Sequence, residues 1–220
     1  MKRILTSIIV LVAFASIASA QQKIYVCEGF RYHTHEITST DDIVFSTDGL
    51  DVTIAEDETY ELSEIDSITF AEPQYPRVDI VYNGTSATVN VSPSVKGVTY
   101  SINGAKVTLN SSTTTEEYLY SVSGKSSNGS LIINGDYKLT VELAGLDLTN
   151  TSGPAIDIEC GKRIGVILKK GTVNNLADGK SGDHKGAFYT EGHPEFEGGG
   201  TLNVTGNTKH AICAKEYLQF

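Results

Sequence analysis

The sequence predicts an all-β chain ending in a parallel β-helix, and three observations lead there. Apolar and polar residues alternate over short runs such as Val78-Asp79-Ile80-Val81-Tyr82 and Lys138-Leu139-Thr140-Val141-Glu142-Leu143. Gly, Asn and Ser, the residues of tight turns, bound these runs, and no run beyond residue 20 keeps helical spacing over three turns. From Gly145 onward, glycine-opened strands followed by a small apolar pair recur at an irregular period, which is what successive rungs of a coiled sheet require.

The elements follow in order. Lys2 and Arg3, the apolar stretch Ile4 to Ile17 and Ala18-Ser19-Ala20 form a secretory signal peptide over residues 1–20, too short to span a bilayer. Residues 21–72 form a small β unit. Within it Asp41-Asp42-Ile43-Val44-Phe45-Ser46 and Asp66-Ser67-Ile68-Thr69-Phe70-Ala71 echo one another, as a repeated sheet element would. Residues 73–76 are a linker, because Pro73 and Pro76 interrupt any ladder. The main domain is 77–220. It begins with two hairpins turning at Asn83-Gly84 and Asn103-Gly104, and Asn134-Gly135 marks a further turn.

The repeat then dominates. Strands open at Gly145, Gly171 and Gly200, and the pairs Ala155-Ile156, Ala187-Phe188 and Ala211-Ile212 follow them. The glycines are 26 and 29 residues apart and the alanines 32 and 24, with Gly179 to Lys185 as an insertion that maps to a loop on a binding face. Tyr217-Leu218-Gln219-Phe220 is an apolar strand with no polar rung after it. The β-helix is therefore expected to be incomplete at its C-terminus, the chain truncated or its end covered by a capping partner.

Composition narrows the function. The 220 residues carry a formal net charge of −10. Without Lys2 and Arg3 the balance is 15 basic against 27 acidic side chains, or −12, which argues against nucleic acid as a partner. There is no tryptophan to serve as a stacking platform for neutral sugars. Three cysteines are too few for a disulfide framework. Cys160 and Cys213 read as buried thiols at strand ends, with a bridge open to them only if their strands are neighbours. The chain has no Gly-x-Ser-x-Gly elbow, HExxH or phosphate loop.

Lys138 through Thr149, Ser152-Gly153-Pro154-Ala155-Ile156, Gly171 through Gly179 and Gly200 through Ile212 together resemble a known family. It is that of the bacterial secreted carbohydrate-binding domain-containing proteins, right-handed parallel β-helices similar in fold to pectate lyases. The resemblance runs from about Arg77 to Phe220. It implies binding of plant cell-wall polysaccharide, polygalacturonate in particular, aided by calcium, with no catalysis common to the family.

Asp147, Asp157, Asp178 and Asp183 lie at turns or on strand positions of the rungs, and their hard oxygens suit calcium, which takes roughly 6–8 of them. Asp is equally at home there because it tolerates turn geometry. Lys162, Arg163, Lys169 and Lys170 are the one local basic concentration, followed by Lys180 and Lys185, and could contact uronate carboxylates. A solvated outer face explains them as well. His193 and His210 occupy family-like positions facing a ligand or fixing a turn. His33 and His35 share one side of a strand, as metal ligands would, but without a third ligand they read as an exposed strand.

The leading function is thus a secreted, non-catalytic, calcium-assisted binder of acidic polysaccharide. The alternatives are a polysaccharide lyase of the same architecture, and a structural or adhesive surface protein.

Overall fold

The computed structural model describes residues 22–38, 42–56, 58–179, 184 and 186–220. The leader, Lys180, Asp183 and Lys185 lie outside the described residues. Contacts divide the chain between Pro73 and Gln74.

The first unit holds β1 (Gln22–Glu28), β2 (Arg31–Ile37), β3 (Ile43–Phe45), β4 (Asp51–Ile54), β5 (Glu58–Glu61) and β6 (Ser67–Thr69). β1 lies between β2 and β6 in one antiparallel sheet, and β3, β4 and β5 make another. Ile24, Val26, Ile37, Val52, Ile54 and Tyr60 form its core. The two echoing segments do not build a repeated element. β3 pairs with the strand that follows it, whereas β6 returns to the first strand of the unit. The histidines also depart from the exposed strand expected of them. His35, 8% exposed, is bonded to the Tyr60 hydroxyl at 2.6 Å, and half-buried His33 sits 3.6 Å from Glu28 and 3.9 Å from Glu58. A polar partner inside the core is what makes a buried imidazole tolerable.

The second unit holds β7 (Arg77–Asn83), β8 (Ser86–Val91), β9 (Val98–Asn103), β10 (Lys106–Ser111), β11 (Leu119–Ser126), β12 (Ser130–Gly135) and β13 (Leu139–Thr149). It continues with β14 (Ile156–Glu159), β15 (Arg163–Leu168), β16 (Val173–Ala177), β17 (Gly186–Thr190), β18 (His193–Glu197), β19 (Thr201–Thr205) and β20 (His210–Ala214). Hairpins β7–β8 and β9–β10 close at Asn83↔Ser86 and Asn103↔Lys106, with Gly84 and Gly104 at φ 64 and 62, as the Asn-Gly signals predict.

Every other strand pairing in this unit is parallel. One ladder runs β10-β12-β14-β17-β20, a second β7-β11-β13-β15-β18, and the C-terminal half of β13 starts a third with β16 and β19. Strands of four to eleven residues cannot bury a face alone, so each rests on the next. Val107, Leu131, Ile156, Phe188 and Ile212 lie one upon another in the first ladder. Val78, Tyr120, Val141, Val166 and Phe196 do so in the second, and Leu148, Leu176 and Val204 in the third. These columns meet in one core, where each aliphatic side chain stabilises the fold by about 1.5–3 kcal/mol.

The alanine pairs fall in register, as Ile156, Phe188 and Ile212 show, but the glycine openings do not. Asp147 pairs with Asn175 and Val173 with Thr201, so Gly145 stands opposite Val173, and Gly171 opposite Gly199 rather than Gly200. The cause is that β13 runs on through Gly145 while the next rungs break into two strands. Asn134-Gly135 is not a turn either. Both residues stay in β12, held by pairing to Asn110 and Ser111 and by a 2.9 Å bond between the Asn134 and Asn110 side chains.

The register between β11 and β13 slips after Val122↔Leu143, and resumes at Gly124↔Leu146. This leaves a bulge at Gly145, where φ is 83. The bulge frees two amides, and Asn174, fully buried on the neighbouring rung, accepts from both, at 3.0 Å from Gly145 and 2.9 Å from Leu146. Its own amide donates to the Thr172 hydroxyl and the Thr201 carbonyl. Asn174→Ala should therefore cost about 2–4 kcal/mol, because buried amides lose their acceptor. Urea unfolding followed by circular dichroism checks this. In the same assay Gly124→Ala should cost more than Gly145→Ala. Gly124 has φ 88 and a Cβ there would strike the Tyr82 carbonyl, whereas Gly145 has open space.

Candidate functional site

Strand alternation places every second residue of β11, β13, β15 and β18 outward, and in-register stacking turns those residues into columns. At one end of this face a charged cluster forms. Glu117, just before β11, accepts from the Arg163 guanidinium at 2.5 Å, from Lys138 Nζ at 3.1 Å and from the Thr140 hydroxyl at 2.7 Å. Burial pushes the Glu117 carboxyl up. The Thr140 hydroxyl and the two cations outweigh it and hold the group below the ordinary carboxylate range. Gly165 keeps the lane beside the guanidinium clear, since a Cβ there would come within 2.7 Å of the Thr140 hydroxyl and 3.3 Å of Arg163 Nη1. Arg163 pairs in register with His193, whose Nδ1 lies 3.1 Å from Glu216 and whose ring stacks on Tyr217.

The basic residues singled out in the sequence are thereby separated. Lys162 and Arg163 stand at the start of β15, and Lys169 and Lys170 follow its end, about 20 Å away at strand rise. Lys162, Lys169 and Lys170 are exposed. His210 is exposed at the start of β20 in the other ladder, beside Gly186.

The three described aspartates of the set are dispersed as well. Asp147 pairs with Lys125 at 2.7 Å. Buried Asp178 accepts from the backbone amides of Asn207 and Thr208, one on each carboxylate oxygen, and so holds the turn of the next rung. Asp183 lies outside the described residues. Of the three described, Asp157 alone meets further ligand-type groups. Its Oδ2 is 2.9 Å from His184 Nδ1, which is 3.5 Å from Glu159 Oε1. Among the described residues this is the one group of three His, Cys, Asp or Glu side chains whose donor atoms lie within 4.8 Å of one another. Burial raises the Asp157 pKa, His184 offsets part of the rise, and Glu159 adds to it. The His184 ring stacks at 3.9 Å on Tyr189, whose phenol is pushed up to about 12 by burial and by Glu191.

Sequence reasoning did not single out Glu117, Lys138, Glu159 or His184. Two signals pointed to the last pair: the alternation Ile156-Asp157-Ile158-Glu159 sets both acids on one face, and His184 is the histidine of the insertion. Nothing local in the sequence links Glu117 to Arg163. The three cysteines are free thiols, Cys27 and Cys160 buried and Cys213 partly so. A shallow polar hollow of about 300 Å³, lined by Lys96, Ser112, Thr115, Glu116 and Tyr118, contains none of these groups.

The profile of the carbohydrate-binding domain-containing protein family matches residues 103–220. No curated protein matches the sequence. Among solved structures the chain is similar to a polysaccharide lyase-like protein from C. thermocellum, in a gadolinium derivative, at 21% identity and a TM-score of 0.52. The match covers 64% of this chain and spans 57% of that protein's length, and at such identity the likeness is one of fold.

Because Glu117 sits below its ordinary value of 4.5, its ion contacts contribute fully above that pH and are lost as pH falls through the lower folded value. Urea midpoints measured from about pH 6 down to about pH 3 should fall more steeply for the wild type than for Glu117→Gln. Parallel slopes would remove the cluster as a source of acid lability.

Proposed function

Since the chain belongs to the carbohydrate-binding domain-containing protein family, we propose that it is a secreted, non-catalytic polysaccharide-binding protein whose ligand is an acidic plant cell-wall polymer of the polygalacturonate or pectin class. Its rungs wind as a right-handed parallel β-helix, and the polymer lies along the outward columns. The observation that carries this reading is the Glu117 cluster. Lys138 and Arg163 remain partly exposed while one half-buried carboxylate fixes both, and exposed Lys162 adjoins them. The guanidinium, held by Glu117 on one arm and 3.7 Å from Glu195 on the other, can be shared with a uronate carboxylate with little further ordering. Local cations of this kind let an acidic protein meet an acidic polymer.

Calcium enters the reading from solution. Asp147 is paired with Lys125 and Asp178 with backbone amides, which favours an ion shared with the polymer over one held by a protein cage of roughly 6–8 oxygens. The ion instead reduces repulsion between the carboxylates of polymer and protein.

Affinity electrophoresis in gels containing polygalacturonate tests this. The wild type should be retarded, a calcium chelator should reduce retardation, and Arg163→Ala should weaken binding about tenfold, the loss of one charge-assisted contact. Unchanged mobility on every acidic polymer sinks the reading. Appearance of unsaturated product in the ultraviolet would overturn its non-catalytic part.

A further inference from the structure

We propose that Asp157, Glu159 and His184 form a binding site for a first-row divalent transition metal, with zinc as the type ion. The two acids alternate on β14 and project from its outer face, while His184 reaches them from the segment between β16 and β17. The 3.5 Å from His184 Nδ1 to Glu159 matches donors sharing one tetrahedral ion at about 2.0–2.2 Å, and the 2.9 Å to Asp157, a hydrogen bond in this structure, has to open by about half an ångström to admit the ion.

A second observation comes from the other oxygen of the same carboxylate. Asp157 Oδ1 is buried and meets no hydrogen-bond donor among the described residues, and the side chain as a whole is only 13% exposed. An acceptor in that position costs stability until something positive reaches it. A cation bound to both oxygens of Asp157 would remove the deficit, and the bond to His184 through Oδ2 leaves it in place. His184 and Glu159, 31% and 34% exposed, keep one side of the site open to an entering ion.

The donor set decides the metal class. An imidazole nitrogen is a good ligand for zinc and its neighbours in the first transition row and a poor one for calcium or magnesium, which select oxygen. The site therefore differs in chemistry from the calcium assistance expected from the sequence. Its surroundings are also fixed. The His184 ring lies flat on Tyr189, the Tyr189 hydroxyl donates to Glu191 at 2.8 Å, and Lys215 holds Glu191 at 2.5 Å. Such a supporting layer orients ligands and sharpens affinity.

The test uses the full mature chain, free of any affinity tag, stripped with EDTA and titrated calorimetrically with zinc chloride and separately with calcium chloride, in the absence of polysaccharide. Zinc should bind with one-to-one stoichiometry, raise the thermal midpoint, and bind at least tenfold more tightly than calcium. His184→Ala and Glu159→Gln should each weaken zinc binding by about tenfold or more while the far-ultraviolet circular dichroism stays unchanged. His33→Ala, in the first unit, should bind zinc as the wild type does. No heat with zinc, undiminished binding in His184→Ala, or calcium bound as tightly as zinc would each overturn the proposal. Because no polymer is present, the outcome is independent of whether the carbohydrate reading stands.

Discussion

In-register parallel pairing between strands about one rung apart is the constraint on which the second unit depends. Leu131, Ile156, Phe188 and Ile212 come from distant points in the chain and lie in one column, and none could be buried without the rung beside it. The pairing that aligns the inward side chains necessarily aligns the outward ones. Asn110 and Asn134 bond side chain to side chain for this reason, as do Asn175 and Asn203 at 3.0 Å. The Glu117 cluster follows from the same register, since Leu119, Thr140 and Gly165 are level in the stack and Glu117, Lys138 and Arg163 each stand two residues before them.

Corners are where this regularity becomes costly. Backbone groups released by a bulge or a turn must find partners inside the stack, and the neighbouring rung provides them. Asn174 accepts from the amides at the Gly145 bulge, and Asp178 accepts from those of Asn207 and Thr208. Both are polar residues driven into the interior by the geometry of an adjacent rung. Asp178, which its type and place make a plausible cation ligand in the sequence, is thus engaged in the architecture.

Insertions are tolerated where they leave the ladders intact. More residues separate β16 from β17 than separate β19 from β20, yet Ile156↔Phe188 and Asp157↔Tyr189 are paired. The histidine between β16 and β17 comes down on the outer face of β14 and finds two carboxylates already aligned by strand alternation. The core is undisturbed, so this rung gains side-chain chemistry that its neighbours lack. The acidic chain therefore carries two local departures from its overall charge: cations gathered on Glu117, and an imidazole set between acids.

Period-two alternation, turn residues and a recurring alanine pair are local properties, and they were enough to read off the β class, both Asn-Gly hairpins, the stacking of rungs and the register of Ala155, Ala187 and Ala211. Where two signals competed, locality misled. Asn134-Gly135 has turn chemistry but lies in a strand, because parallel pairing, on both sides of Asn134, outweighs a poor strand propensity on a scale that spans about 1 kcal/mol. The echo between β3 and β6, and the sidedness of His33 and His35, were settled by which strands each met. The tertiary structure alone decided which charges became neighbours. Arg163 meets Glu117 across 46 residues and His184 meets Asp157 across 27, separations fixed by rung length and insertion rather than by any local pattern.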